Sequence, residues 1–307
     1  MRVAIIGAGG VGGYFGGAIA RAGHEVVLLA RGAHREAIRS RGLEVREPEG
    51  GWTARVGATD DPAELPPADL AIVAVKSYSL SEVAPVVRKL AEAGAVVLPL
   101  LNGVEAFESL AALGVPSERM LAGLTVISAE KTAPGVITRK SPFRSVVVGE
   151  RRGGSSERAE RAAALFREAG ADARVSEDIA VDLWRKFLFL TTLAAACGLA
   201  RAPIGPVRDA PLGGLLLQRA AREIAAVARA RGIAISAGEE EQVLERMAAL
   251  PAGMKPSFLL DLERGGPNEL DVLSGAVSRY GRESGVPTPV HDTAVAAFSA
   301  SVAARRS

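Results

Sequence analysis

Residues 3–12 read Val3-Ala4-Ile5-Ile6-Gly7-Ala8-Gly9-Gly10-Val11-Gly12, and this run decides the fold. Four consecutive apolar residues without polar alternation describe a strand buried on both faces, which needs a sheet covered by helices on either side. The glycines that follow have the G-x-G-x-x-G spacing, and the segment ending near Ala22 is compatible with a helix. In such a strand-turn-helix Gly7 makes the tight turn, Gly9 lets a ligand approach the backbone, and Gly12 permits close packing of helix on strand. Gly10 and Val11 complete the loop. The helix start then offers free N–H groups and a partial positive charge to phosphates, the mark of a dinucleotide-binding turn. An ordinary glycine-rich turn is the bland alternative, and the flanking strand and helix weigh against it.

The second strand ends Leu28-Leu29-Ala30-Arg31, about where a site for an unphosphorylated dinucleotide would carry Asp or Glu for the ribose 2′-hydroxyl. A guanidinium there offers forked, charge-assisted hydrogen bonds to a phosphate, and no carboxylate is present to repel it. Arg31 therefore predicts NADPH as the cofactor. His34 and Arg35 follow closely, as assisting residues or as solvated bystanders.

Working outward, Val3–Ile6, Glu25–Ala30, Leu70–Val75 and Ala95–Leu101 all read as buried strands with helical stretches between them. That alternation predicts βαβ units and a doubly wound, Rossmann-type α/β sheet. From Met120 to Val148 the pattern changes to three β-rich runs, broken at Ala133-Pro134-Gly135 and at Ser141-Pro142. These are expected as antiparallel strands added at one edge. A helix over Ser155–Ala169 and a strand over Ala173–Val175 close the first domain. Beyond Ser176 long Ala- and Leu-rich helical patterns run to the end, so the division is an NADP-binding domain, 1–176, and an all-α substrate domain, 177–307.

Length and composition agree with two domains sharing a cleft. The chain has 307 residues, 48% hydrophobic and 23% charged, enough for substantial cores. Thirty-seven Lys and Arg against thirty-five Asp and Glu, scattered rather than massed, argue against nucleic-acid binding. One cysteine, Cys197, suits a reducing, cytoplasmic setting, and His24, His34 and His291 make no metal set. Phe187–Ala200 is an apolar run of fourteen residues, shorter than the ~20 a bilayer span needs, and reads as a buried helix. Seven glycines between Val3 and Ala20 argue against a signal peptide. The helical part carries enough apolar surface for a homodimer, or for its own core alone.

Further along, Val75-Lys76 and Leu101-Asn102-Gly103 lie at carboxyl ends of predicted strands, where open α/β sheets bind ligands. Lys76 as a surface charge and Asn102-Gly103 as a turn are the alternatives. Trp184-Arg185-Lys186 opens the long apolar run, which puts Lys186 at a helix start as either a snorkelling end residue or a placed acid. Asn268-Glu269-Leu270-Asp271 begins another helical pattern, with Ser257 twelve residues before Glu269; Asn268 there is also suited to be a plain helix cap.

Taken in order, Gly7 to Gly12, the Arg31 strand end, Val75-Lys76, Leu101-Asn102-Gly103, Trp184-x-Lys186, Ser257 and Glu269-Leu270-Asp271 resemble the ketopantoate reductase (2-dehydropantoate 2-reductase) family over nearly the whole chain. The resemblance implies NADPH-dependent reduction of 2-dehydropantoate to pantoate, a step towards pantothenate, by a Rossmann domain joined to a helical one. It also assigns roles. Lys186 becomes the general acid that protonates the ketone oxygen as hydride arrives, and Asn102 bonds that oxygen or positions the lysine while bordering the nicotinamide. Glu269 anchors the substrate hydroxyl, Ser257 helps to hold its carboxylate, and Lys76 and Arg31 line the cofactor.

Three positions depart from the family pattern. Asparagines commonly found one and two turns after the lysine are Leu190 and Ala194 here, and a third, before the serine, is Met254. Leaving polar substrate groups unpaired costs about 1 to 3 kcal/mol each. A reductase of a more apolar 2-keto acid is therefore the second reading, and a non-catalytic NADPH-sensing protein is a third.

Overall fold

The computed structural model describes residues 1–303 and separates into two compact units. The first comprises Met1–Leu101 and Glu105–Ile179; the second comprises Asn102–Val104 and the chain from Ala180 on.

The first unit contains, in order, β1 (Arg2–Ile6), α1 (Gly10–Arg21), β2 (Glu25–Leu29), α2 (Gly32–Arg41), β3 (Leu43–Glu47), β4 (Gly50–Ala54), β5 (Gly57–Thr59), β6 (Leu70–Val73), α3 (Leu80–Glu92), β7 (Val96–Pro99), α4 (Ala106–Ala112), β8 (Ala122–Ala133), β9 (Val136–Gly149), α5 (Glu157–Glu168) and β10 (Asp172–Val175). One sheet is wholly parallel, in the order β5-β2-β1-β6-β7, with Ile5 opposite both Leu28 and Ile72. The direction of winding reverses at β1, so the topological switch point lies at the β1 carboxyl end, where the glycine loop begins. The uninterrupted apolar run of β1 is explained by its surroundings. Val3 and Ile5 pack with Phe15 and Ile19 of α1, whereas Ala4 and Ile6 pack with Val83, Val87 and Leu90 of α3 on the other face.

The strands after Met120 do not extend this sheet's edge. They build a second sheet, ordered β10-β9-β3-β4, with β8 antiparallel to β9. Nor are there three runs: Ser141-Pro142 leaves β9 continuous, because residues 140–143 bulge between the Ala129–Arg139 and Ile127–Arg144 pairs. A bulge tolerates the missing proline donor. Three short strands, β3 to β5, were not anticipated from the sequence; Leu43-Glu-Val-Arg-Glu offers only two apolar positions and Gly50-Gly51 offers none. The second sheet holds α1 through an ion cluster centred on the buried Arg139, with Glu47 largely buried and Glu49 exposed. Arg139, 1% exposed, donates to Glu47 at 3.0 Å and Glu49 at 2.5 Å, while Glu47 also accepts from Tyr14 of α1 at 2.8 Å and from Trp52 at 2.9 Å.

The second unit is helical: α6 (Ile179–Ala200), α7 (Ile204–Asp209), α8 (Gly213–Ala230), α9 (Glu239–Ala248), α10 (Ser257–Arg264), α11 (Ala276–Ser284) and α12 (Pro289–Ala303), with a π-turn at Asp271–Gly275 leading into α11. By length and composition α6 could cross a membrane, but Trp184, Phe187, Leu188, Leu193, Ala196 and Cys197 are buried in the helical core. Two polar groups tie α8, α12 and the π-turn together, Glu223 joining the two helices and His291 adding the π-turn. Glu223 accepts the N–H groups of Val290 and His291 at the start of α12, and the His291 ring bridges Ala220 O and Ser274 Oγ at 3.1 Å each. A carbonyl only accepts, so Nε2 carries the proton and Nδ1 accepts from the serine hydroxyl.

Burial pushes the His291 pKa down to about 4, against the bond to Ala220 and the Asp292 charge, which raise it. Between its ordinary value of 6.5 and about 4 the unfolded chain binds more protons than the folded one, so this contribution to stability is lost as pH falls through that window. Urea unfolding should show about 2 kcal/mol lost between pH 7 and pH 5 from this group. His291→Gln should lack that component; an identical pH dependence in the variant would contradict the assignment.

Candidate active site

In the first unit the glycine loop joins β1 to α1 as its spacing requires. Gly7 has φ +105°, and a Cβ there would lie 2.7 Å from Val75 Cγ1, so only glycine makes this turn. A Cβ on Gly12 would sit 2.0 Å from Gly7 O, and one on Gly10 would sit 1.9 Å from Ala129 O of β8. Gly12 therefore sets the approach of helix to loop, and Gly10 the approach of the second sheet. Gly9 differs: it is exposed, and a Cβ would meet nothing within 4 Å. The α1 N-terminus, with Val11 in its first turn, has no acidic residue and no side-chain cap competing for its N–H groups. An exposed glycine ahead of uncapped donors fits a pyrophosphate.

Arg31 precedes α2 with extended backbone and a largely exposed side chain that pairs with Glu82 of α3 at 2.7 Å. Exposed pairs of this kind contribute little and exchange readily, which leaves the guanidinium available to a phosphate. Lys76 is half-buried, three residues past the end of β6. His34 is no solvated bystander. Its ring is 6% exposed, with Nε2 2.8 Å from Ala8 O in the glycine loop and Nδ1 2.8 Å from the Gly135 N–H in the β8–β9 turn. Burial lowers its pKa, opposed by the bond to Ala8 and reinforced by the Lys131 charge.

The second unit assembles three of the residues read from the sequence. Lys186 Nζ donates to Asn102 Oδ1 at 3.2 Å, and Asn102 Nδ2 donates to Glu269 Oε2 at 3.1 Å. The amide orientation is fixed from both ends, since reversing it would set donor against donor and acceptor against acceptor. Lys186 does not open its helix, as expected from the sequence, but lies seven residues inside α6; the segment from Ile179 already turns, with polar Asp182 and Arg185 interrupting its apolar pattern. Arg185, its neighbour, makes a forked pair with Glu239 of α9 at 2.9 and 3.0 Å and holds the helix rather than a ligand.

Burial of the Lys186 ammonium is the dominant influence and pushes its pKa from 10.5 down to about 8, against the raising effect of the Glu269 carboxylate. Glu269 is 3% exposed and sits just before the π-turn, not in a regular helix. Asn268 does not cap a helix: its side chain accepts from the Leu270 N–H at 3.1 Å, a local turn two residues long, while the π-turn that follows has no side-chain cap. Asn102 owes its place to Gly103, whose φ of +89° admits only a glycine comfortably and whose Cα packs so near the π-turn that a Cβ would lie 3.0 Å from Val272 O. Neither the Gly103–Val272 approach nor the His34 bridge has a local sequence signal.

Ser257 is exposed at the first position of α10. Leu190 and Ala194, one and two turns after Lys186, and Met254 pack with or within the helical core. Chemically, the triad presents a desolvated cation, protonated around neutral pH, beside an oriented amide and a buried carboxylate. Such a set can donate a proton to an oxygen that gains negative charge and accept a hydrogen bond from a hydroxyl.

Comparison with known proteins agrees over the full length. The family profile described as ketopantoate reductase PanE/ApbA matches residues 3–153, and its C-terminal counterpart matches residues 178–301. The chain is 34% identical to a 2-dehydropantoate 2-reductase of Halobacterium salinarum, covering 94% of this chain and 95% of that one. The crystal structure of a PanE/ApbA family ketopantoate reductase from Ralstonia eutropha JMP134 superposes with a TM-score of 0.91 at 30% identity, covering 100% of both chains. D-Mandelate dehydrogenase, solved with NADH and anilino(oxo)acetate, shares the fold at 24% identity, TM-score 0.88, over 100% of both chains. With glycine loop, parallel sheet, helical unit and family match in agreement, the chain belongs to the ketopantoate reductase family.

Proposed function

We propose that this protein reduces 2-dehydropantoate to pantoate with NADPH, the reaction that leads towards pantothenate. The observation that carries the proposal is the hydrogen-bonded series Lys186–Asn102–Glu269. A protein that only sensed the cofactor would have no use for a desolvated lysine aimed by an amide.

Gly7, Gly9, Gly10, Val11 and Gly12 would hold the pyrophosphate, Arg31 the 2′-phosphate, and Lys76 and Asn102 would line the remainder. When bound there, the reduced nicotinamide supplies the hydride. Lys186 Nζ stabilises the negative charge growing on the ketone oxygen and gives up its proton to it. Asn102 Oδ1 keeps the ammonium aimed, at the cost of one of its three donors. Glu269 accepts from the substrate hydroxyl, and the Ser257 hydroxyl bonds its carboxylate. Glu269 also offsets the lysine's charge, so the buried set stays near neutral.

A second reading has its own support. Leu190, Ala194 and Met254 place apolar groups where the family commonly has amides, which favours a more apolar 2-keto acid on the same machinery.

Because Lys186 must be protonated to act, kcat/KM for NADPH-dependent keto acid reduction should be level near pH 7 and fall about tenfold per pH unit above about 8. A profile flat to pH 10 would remove the lysine from the acid role. Lys186→Ala should cut turnover by about two to four orders of magnitude at pH 7 with little change in NADPH affinity. Arg31→Ala should erode the preference for NADPH over NADH; an unchanged ratio of the two binding constants would contradict the 2′-phosphate assignment.

A further inference from the structure

We propose that His34 is a positioning residue for the dinucleotide, latching the Ala8–Gly9 peptide so that the Gly9 N–H faces outward from the loop; this rests on the NADPH reading above. The Gly135 N–H can only donate, so Nδ1 is the acceptor; Nε2 therefore carries the proton and donates to Ala8 O, each at 2.8 Å. The ring is neutral, in one tautomer, and nearly closed to solvent at 6% exposure.

The Ala8–Gly9 peptide is trans, and in a trans peptide the C=O and the following N–H point in opposite directions. Holding the Ala8 carbonyl inward, against His34, therefore turns the Gly9 N–H outward. Burial follows the same division, with Ala8 buried and Gly9 exposed. The peptide needs such a hold. Its plane turns about Ala8 ψ and Gly9 φ, and on the glycine side no side chain opposes that rotation. A rotated plane would present a carbonyl, in place of a donor, to an approaching phosphate.

The latch also joins elements that the cofactor must address together. His34 is the third residue of α2, three after Arg31, so one imidazole ties the pyrophosphate turn to the helix that follows the 2′-phosphate residue. Its other nitrogen fixes both to the β8–β9 turn, which belongs to the same sheet whose Ala129 carbonyl abuts Gly10.

The test uses the whole protein, calorimetric binding, and two probes: NADPH, which needs both phosphate sites, and adenosine 2′-phosphate, which lacks the pyrophosphate. His34→Asn keeps an acceptor near the Nδ1 position but cannot reach Ala8. His34→Gln keeps a donor near the Nε2 position. The Asn variant should weaken NADPH about tenfold or more, with adenosine 2′-phosphate unchanged, and the Gln variant should remain within about threefold of wild type. Gly9→Pro replaces the N–H by a ring carbon, at a φ of −77° that proline accepts, and should lose NADPH as well; unaltered NADPH affinity in it counts against the latch even if His34→Asn does not fold. Wild-type NADPH affinity in His34→Asn or Gly9→Pro, or equal losses for both probes in both His34 variants, would overturn the latch. A wild-type protein that binds neither probe would overturn the NADPH reading itself, and the latch with it.

Discussion

A primary amide set between an ammonium and a carboxylate can face only one way. Asn102 is in that position, with its oxygen on Lys186 and its nitrogen on Glu269, and the helical unit is arranged around that constraint. The lysine must come from the interior of a helix packed tightly enough to desolvate it, which α6 provides. The carboxylate sits on the irregular segment just before the π-turn, which is itself pinned by His291 through Ser274. The asparagine must leave the strand end of β7 and reach the π-turn at once, which the left-handed Gly103 makes possible. Each element is ordinary alone. Together they give one ammonium a defined direction and a pKa lowered to about 8.

In the first unit, the proposed dinucleotide site follows a complementary rule: backbone donors have to face phosphates without a side chain in between. Gly9 leaves the space, α1 supplies the donors, and the second sheet, through Ala129 and His34, keeps the loop from relaxing. The Arg139 cluster extends this bracing to Tyr14 on α1. Removing one partner from such a buried charge group typically costs about 3 to 5 kcal/mol, so the second sheet is a structural support for the loop, not a decoration of the first.

Much of this was legible in the sequence where the signal is local. The β1–loop–α1 unit, the four principal parallel strands and the helical second half follow from periodicity and glycine spacing, because each is specified by residues within one element. Lys186, Asn102 and Glu269 could be singled out by type and resemblance, but not their bonding, which links positions 84 and 167 residues apart. The second sheet was misread for a related reason. Its strands are short or interrupted by Ser141-Pro142, and its core holds Arg139, a residue whose charge marks it as surface until its carboxylate partners are seen. The sequence leaves His34 open between an assisting and a solvated role, because nothing within α2 shows that its acceptor and donor lie in two other segments. The π-turn has no composition of its own.

Progress of NADPH oxidation on adding 2-dehydropantoate, with the product identified, bears most directly on the account, run beside a panel of more apolar 2-keto acids. Stoichiometric formation of pantoate is expected, with kcat/KM for 2-dehydropantoate the highest of the panel. Absence of turnover with every 2-keto acid, in a protein that binds NADPH tightly, would contradict it.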